Sequence, residues 1–274
     1  MIVVTGATGN VGRPLVEALV AAGEEVMAIS RQISAPDLPA GVRRHRADLA
    51  EPESLEPALD GAEALFLLTS GDFMANGNLD EVVDVVRAAG IERVVLLSSQ
   101  GVGTGRHPSN LEDTVRHSGL KWTILRPGGF DSNAFQWAEM VRALRMVAAP
   151  FGDVAAPAID PADIAEVAAV ALRDAKHVGN TYTLTGPTPV SPRQQAAAIG
   201  DGLGEPVRFV ELSRKEAKTQ MLRFMPEPVA ESTLDILGKP SDEERQVSLD
   251  VERILGRPPR TFAQWAARNV AAFK

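Results

Sequence analysis

The chain has 274 residues, of which 45% are hydrophobic and 23% charged, and a formal net charge of −8. That length suits one large domain or a domain with an appendage, and the acidic balance disfavours nonspecific binding to nucleic acid or anionic lipid. There is no cysteine, which excludes disulfides, thiolate nucleophiles, iron–sulfur clusters and zinc–thiolate sites.

The chain opens on a β-branched run, Ile2 to Thr5, which predicts a buried strand. Glycines follow at 6, 9 and 12. Such a trio permits a tight turn, a close backbone approach to a pyrophosphate and close helix–strand packing. Val11, Leu15, Val16, Leu19 and Val20 form an apolar helical face that Gly23 closes, and Val26 to Ser30 reads as the next strand. This is a βαβ unit whose helix N-terminus would face phosphates. The candidate cofactor cradle is Gly6, Thr8, Gly9, Asn10, Val11 and Gly12.

An NAD-preferring fold places an acid near the end of the second strand. Here Ser30, Arg31 and Gln32 stand there, and the first acid is Asp37. A hydroxyl and a guanidinium suit a 2′-phosphate, so the expectation is NADP(H) rather than NAD(H). Val42 to Arg46 is the third strand, its Arg43, Arg44, His45 and Arg46 read as a solvated edge. Asp48 after it is placed to reach adenine or to cap the helix over 52–59.

Ala64 to Leu68 is a fully apolar strand ending in Thr69 and Ser70, at the carboxyl edge where ligands lie. A helix is expected over 78–89. Arg93 to Leu97 is the fifth strand, ending in Ser98 and Ser99, whose hydroxyls are candidates for contact with substrate or nicotinamide ribose. A short helix runs around Ser109 to His117. Lys121 to Leu125 is the sixth strand, left through Pro127, Gly128 and Phe130; the glycines allow approach to a flat ring, and Phe130 is either its wall or core.

Repeated βα units with short loops define an α/β fold, a doubly wound parallel Rossmann sheet of strand order 3-2-1-4-5-6, with a seventh strand at Thr181 to Thr185. The NAD(P)-binding core is expected over 1–130. Residues 131–274 are expected to form a smaller, mainly helical substrate cap, with 154–185 partly returning to the core sheet. A helix over 132–146 carries Trp137, Met140 and Met146, facing an aromatic substrate or packed as core. Ala158 to Asp160 reads as a short extended piece, and further helices are expected over 161–174, 191–203, 214–224, 228–237, 248–255 and 261–273, with a strand over 207–212.

Other chemistries find little support. His45, His107, His117 and His177 show no metal-ligand spacing, and no metal is expected. There is no Gly-x-Ser-x-Gly elbow. Nothing in the sequence aligns Ser98 and Ser99 with His107 as nucleophile and base. No apolar run approaches the ~20 residues that cross a bilayer. With a strand starting at residue 2 and no leader, the expectation is a cytoplasmic protein, monomer or homodimer, that binds a small molecule and neither membrane nor nucleic acid.

Six stretches together carry a family resemblance: Val-Thr-Gly-Ala-Thr-Gly-Asn-Val-Gly (4–12), Ala-Asp-Leu (47–49), Val-Val-Leu-Leu-Ser-Ser (94–99), Trp-Thr-Ile-Leu-Arg-Pro-Gly-Gly-Phe (122–130), Ile-Asp-Pro-Ala-Asp-Ile-Ala (159–165) and Gly-Arg-Pro-Pro-Arg-Thr-Phe (256–262). Over nearly its whole length the chain resembles the NmrA-like family of atypical short-chain dehydrogenases, most of all its NADPH-dependent quinone and triphenylmethane-dye reductases. The resemblance implies that Gly6, Thr8, Gly9, Asn10 and Val11 cradle the pyrophosphate and that Arg31 meets the 2′-phosphate. It also implies that Thr69 and Ser70 line the nicotinamide, and that Pro127, Gly128 and Phe130 lie beside nicotinamide or substrate. The family also holds NADP-binding regulators with little or no turnover.

The departure is catalytic. Typical short-chain dehydrogenases donate a proton through Tyr-x-x-x-Lys. The single tyrosine here, Tyr182, has Gly186 four residues on. The stretch before Glu112 holds neither tyrosine nor lysine, only His107 and, upstream, Ser99. The expected reaction is hydride transfer to an acceptor that needs no strong protein acid, a quinone-like or conjugated aromatic compound. The other reading is a redox-sensing regulator. Sugar epimerases and dehydratases require the missing pair.

Overall fold

The structure, a computed structural model, describes residues 1–33, 38–69 and 71–274. Its strands are β1 (Ile2–Val4), β2 (Val26–Ser30), β3 (Arg43–Arg46), β4 (Ala64–Leu68), β5 (Arg93–Leu97), β6 (Lys121–Pro127), β7 (Met146–Pro150), β8 (Thr181–Leu184) and β9 (Arg208–Leu212). Helices in the first part are α1 (Gly12–Ala21), α2 (Glu56–Leu59), α3 (Gly71–Asn76), α4 (Leu79–Ala88), α5 (Gln100–Gly103) and α6 (Asn110–His117). After these come α7 (Ala138–Leu144), α8 (Pro161–Arg173), α9 (Pro192–Leu203), α10 (Arg214–Met221), α11 (Glu227–Gly238), α12 (Asp242–Arg245), α13 (Asp250–Leu255) and α14 (Phe262–Arg268).

The chain divides into two compact units. The first comprises Met1–Pro127, Pro161–Leu184 and Asp250–Arg257. Its parallel sheet has the order β3-β2-β1-β4-β5-β6-β8, the expected order with the seventh strand beside β6. The inner strands β1, β2, β4 and β5 are largely apolar runs because both faces are covered. On one face Val3, Met27, Ile29, Leu65 and Leu67 join Leu55 and Leu59, Val82 and Val86 of α4, and Val115 of α6 in one core cluster. The alternate residues Val4, Ala28, Phe66 and Val95 are also buried, as are Leu15, Val16 and Leu19 of α1 and Val167 and Ala168 of α8. α8 packs along α1. β3 is the edge strand, and its Arg43, Arg44 and Arg46 are exposed as expected.

The second unit comprises Gly128–Asp160, Thr185–Leu249 and Pro258–Lys274. A two-stranded parallel sheet, β7 with β9, backs a core of Ala134, Trp137, Val141, Val147, Ile199, Phe262, Trp265 and Phe273. Phe135 meets the edge of Trp265 with centroids 5.0 Å apart. Arg268 bridges the buried Asp160 at 2.5 Å.

The helix expected over 132–146 is not continuous. A 3₁₀ stretch, Asp131–Trp137, leads into α7. Arg145 then takes the left-handed φ of 48°, and Met146 begins a strand. Buried Val147 and Ala149 alternate with half-buried neighbours, the period of a strand rather than a helix. The helix expected over 248–255 is α13, Asp250–Leu255, and α12, Asp242–Arg245, was not foreseen. The short helices α3 and α5 were not foreseen.

One buried pair in the first unit makes stability depend on pH. His177 is 3% exposed; its Nδ1 lies 2.8 Å from the Tyr182 hydroxyl, and its buried Nε2 has no partner. Burial, aided by Lys176 and opposed by Asp174, pushes the imidazole below its ordinary 6.5. Charging it would bury a second N–H without an acceptor. The unfolded chain therefore binds this proton more readily than the folded one, so the stability contributed is intact above pH 6.5 and declines as pH falls below it. Urea unfolding across that range should show a slope of at most about 1.4 kcal/mol per pH unit from this residue. The slope should shrink in His177→Asn; an unchanged slope would remove His177 as its source.

Candidate functional site

At the end of β1, Thr5 Oγ1 donates to the Phe66 carbonyl at 3.0 Å and accepts from the Leu68 N–H at 2.8 Å. This fixes the β1 end against the β4 end. The order of strands reverses between these two, the place where open α/β sheets bind ligands. Gly6 then turns with φ of 62°, and the chain folds back so closely that a Cβ on Gly12 would lie 2.1 Å from the Gly6 carbonyl oxygen. Only glycine fits at 12. A Cβ on Gly9 would meet nothing within 4 Å except the Gly6 oxygen at 3.2 Å, and Gly9 and Asn10 are exposed.

α1 begins at this turn with no side-chain cap and no acid in its first turn. Side chains cap some helices, as Asn78 does α4, Ser191 α9, Ser213 α10 and Thr261 α14, whereas α2, α6, α7 and α11, like α1, have none. With no acid in its first turn, this end of α1 offers the positive pole of the helix dipole to an anion. The turn therefore fits a pyrophosphate.

Of the other expected cofactor residues, Thr8, Arg31, Asp48, Thr69 and Pro127 lie in the first unit. Thr8 Oγ1 lies 3.0 Å from Ser30 Oγ, tying the turn to the end of β2, and Arg31 is exposed immediately after. Half-buried Asp48 accepts the Ala50 N–H at 3.1 Å, while its own N–H donates to Ser54 Oγ. Thr69 follows β4 and is half-buried. Ser70 and Asp37 lie outside the described residues. Pro127 ends β6, opposite Leu184 of β8. Gly128, Phe130 and Trp137 belong to the second unit, where Phe130 pairs with Ile159 and Trp137 is part of the core.

Past β5 the two serines diverge. Ser98 Oγ donates to Glu112 at 2.6 Å. Glu112 is 1% exposed and also accepts from Arg126 at 2.7 and 2.8 Å and from Arg116 at 3.0 Å. Burial raises its carboxyl, but the hydrogen bonds from Arg126, Ser98 and Arg116 outweigh that and hold it below the usual carboxylate range. Ser99 instead faces His107, with Oγ 3.1 Å from Nδ1. The structure thus pairs the two residues that the sequence had left unaligned. Glu112, Arg116 and Arg126 were not foreseen as a network; the i, i+4 spacing of Glu112 and Arg116 was the only local signal. Tyr182, the single tyrosine, is spent on His177, and burial pushes its phenol up.

A parallel sheet reversing at an open glycine turn defines a dinucleotide-binding protein. Residues 6–175 match the NAD(P)H-binding family, and the chain belongs to it. Over its full length it is 34% identical to the (4-alkanoyl-5-oxo-2,5-dihydrofuran-3-yl)methyl phosphate reductase of Streptomyces griseus, of which 99% is covered. It is 33% identical to the NAD(P)H azoreductase of Xenophilus azovorans, with 100% of this chain and 99% of that one covered. The crystal structure of an NADPH-dependent quinone oxidoreductase from Escherichia coli in complex with NADPH superposes with a TM-score of 0.82, at 25% identity and covering 98% and 99% of the two chains. These relatives agree with the resemblance to NmrA-like atypical short-chain dehydrogenases. Among the described residues no helix is long and apolar enough to cross a membrane.

Gly12→Ala tests the turn. Its Cβ must displace the Gly6 peptide, at a cost of about 1–3 kcal/mol by the usual price of overpacking. Thermal unfolding should fall accordingly, and NADPH affinity by fluorescence titration should fall at least about tenfold. Retained affinity would show that the close approach does not shape the cradle.

Proposed function

We propose that the protein is an NADPH-dependent reductase that passes hydride to a quinone-like or otherwise conjugated, electron-poor acceptor. The observation that carries this is the combination at one sheet edge: a complete pyrophosphate turn, and no Tyr-x-x-x-Lys beside it. The bound dihydronicotinamide supplies the hydride. The protein's own part is to hold the dinucleotide through the turn from Gly6 to Gly12, to set its direction through Arg31, and to position an acceptor at the carboxyl ends of β4 and β5. Carbonyl reduction to an alcohol passes through a strongly basic alkoxide and needs a firm acid. A conjugated acceptor spreads the incoming charge and relaxes that demand. The names of the relatives, a dihydrofuranone phosphate reductase, an azoreductase and a quinone oxidoreductase, all describe conjugated acceptors.

Preference for NADPH follows from the end of β2, where Ser30, Arg31 and Gln32 stand in place of an acid. A guanidinium meets a 2′-phosphate with charge-assisted hydrogen bonds. Phe130, which follows β6 through Gly128 and Gly129, is a candidate ring contact for the acceptor.

Purified protein mixed with NADPH and a panel of quinones, azo dyes and unsaturated lactones should consume NADPH, followed by loss of nicotinamide absorbance. Arg31→Ala should weaken NADPH about 10- to 100-fold, the worth of one charged hydrogen bond, and NADH less than about threefold. Equal affinities of the wild type for the two cofactors would remove the role of Arg31. Tight NADPH binding without oxidation of any acceptor would replace the enzyme by a cofactor-sensing regulator.

A further inference from the structure

We propose that Ser99 and His107 form the proton-delivering pair of this reduction: the Ser99 hydroxyl protonates the reduced acceptor, and the His107 imidazole resupplies it. The proposal rests on the reductase reading above.

Ser99 stands two residues beyond the end of β5, at the carboxyl edge of the sheet. Its Oγ accepts the Gly101 N–H at 3.1 Å and lies 3.1 Å from His107 Nδ1. A serine oxygen has two lone pairs and one proton. When Nδ1 carries hydrogen, Gly101 and His107 fill both lone pairs, and the serine O–H must point away from them. When Nδ1 is bare, the serine O–H turns into it. Whether Nδ1 carries the hydrogen therefore decides whether the serine has a proton to offer outward.

The pair is held rigidly. The Gly101 carbonyl accepts the N–H groups of Arg106 at 2.8 Å and His107 at 2.9 Å. The imidazole then lies on Gly101 so closely that a Cβ there would fall 2.5 Å from Nδ1. Gly105, with φ of 73°, turns the chain back. The adjacent charges are otherwise engaged: Glu112 is taken by Ser98, Arg116 and Arg126, so the carboxylate nearest in the chain is spent elsewhere.

Hydride arrival leaves the acceptor with two more electrons and negative charge on an oxygen or nitrogen. The Ser99 O–H bond breaks and an O–H or N–H bond forms on the acceptor. Ser99 Oγ regains a proton from His107 Nδ1–H while the other ring nitrogen takes one from water. NADPH supplies the electrons, and the sum is NADPH, acceptor and one proton giving NADP⁺ and the dihydro product.

Two acceptor classes test the pair. A triarylmethyl cation is complete once hydride arrives, whereas an unsaturated lactone or a quinone also needs a proton. Ser99→Ala and His107→Ala should lower kcat on the neutral acceptor relative to kcat on the cation by about 100-fold, the usual scale of general acid catalysis. Ser99→Thr, which keeps the hydroxyl, should retain the wild-type ratio. Added imidazole should restore rate to His107→Ala and not to Ser99→Ala. Without cofactor, the Nδ1 resonance of His107 in ¹⁵N NMR should move in Ser99→Ala. Equal loss on both acceptors with no rescue, or no loss on either, overturns the pair while leaving the reductase reading intact. Wild-type turnover of the cation alone also overturns the pair. If only neutral acceptors react, the loss and the imidazole rescue decide. A wild type that oxidises NADPH with none of them overturns both readings.

Discussion

The approach of Gly12 to the Gly6 carbonyl is the constraint on which the cofactor edge depends. A backbone contact that would not admit a methyl group presses the start of α1 onto the end of β1. That contact sets where the helix begins, and the helix begins without a capping side chain. In its first turn the Arg13 N–H donates to the Gly9 carbonyl and the Leu15 N–H to Val11, and Pro14 has no N–H to satisfy. The chain caps α4, α9, α10 and α14 with side chains but leaves α2, α6, α7 and α11 without one, so what sets α1 apart is its start at the glycine turn rather than the missing cap. Thr5 completes the arrangement from the other side by locking β1 to β4 where the sheet reverses.

Farther along the same edge, the chemistry is divided between two adjacent serines. Successive residues of an extended strand end point to opposite sides. Ser98 therefore turns to a buried carboxylate and Ser99 to an imidazole. Glu112 would be costly to bury alone, but two guanidinium groups and a hydroxyl satisfy it. By drawing Arg126 of β6 and Arg116 of α6 to one point, it fixes both elements beside β5. The result is a rigid structural network on one side of β5 and a titratable pair on the other.

Much of the first unit was legible because its signals are local. Apolar runs marked the inner strands within a residue or two, and short βα connections left one sheet order. The second unit was less legible. The strand Met146–Pro150 follows a helix without a glycine, and only the left-handed backbone at Arg145 separates them; nothing in Leu-Arg-Met-Val announces it. Its partner β9 lies about sixty residues later, so its pairing depends on tertiary packing. In the site, the glycine turn was readable because backbone geometry dictates residue type there. The Ser99–His107 pair was not, since Pro108 obscured the helical register, and the turn through Gly101 and Gly105 that brings them together uses backbone hydrogen bonds that leave no periodic pattern. Trp137 illustrates the opposite ambiguity: a large apolar residue on a helical face reads alike as substrate contact or core, and its burial among Val141, Trp265 and Phe273 places it in the core.

The fate of Tyr182 ties these observations together. A tyrosine acid must stand at the carboxyl edge with its pKa lowered by a neighbouring cation. Tyr182 pairs with Leu125, level with the last residues of β4 and β5, but its phenol is raised by burial and its hydroxyl is held by His177. The one tyrosine of the chain is thus a structural residue, and any proton for the reaction must come from other groups. At the carboxyl end of β5 the hydroxyl and the imidazole of Ser99 and His107 already touch. A hydroxyl backed by an imidazole is a milder acid than a phenol backed by a lysine. It suits an acceptor whose reduced anion is delocalised, and that is the same class of acceptor to which the missing Tyr-x-x-x-Lys points independently.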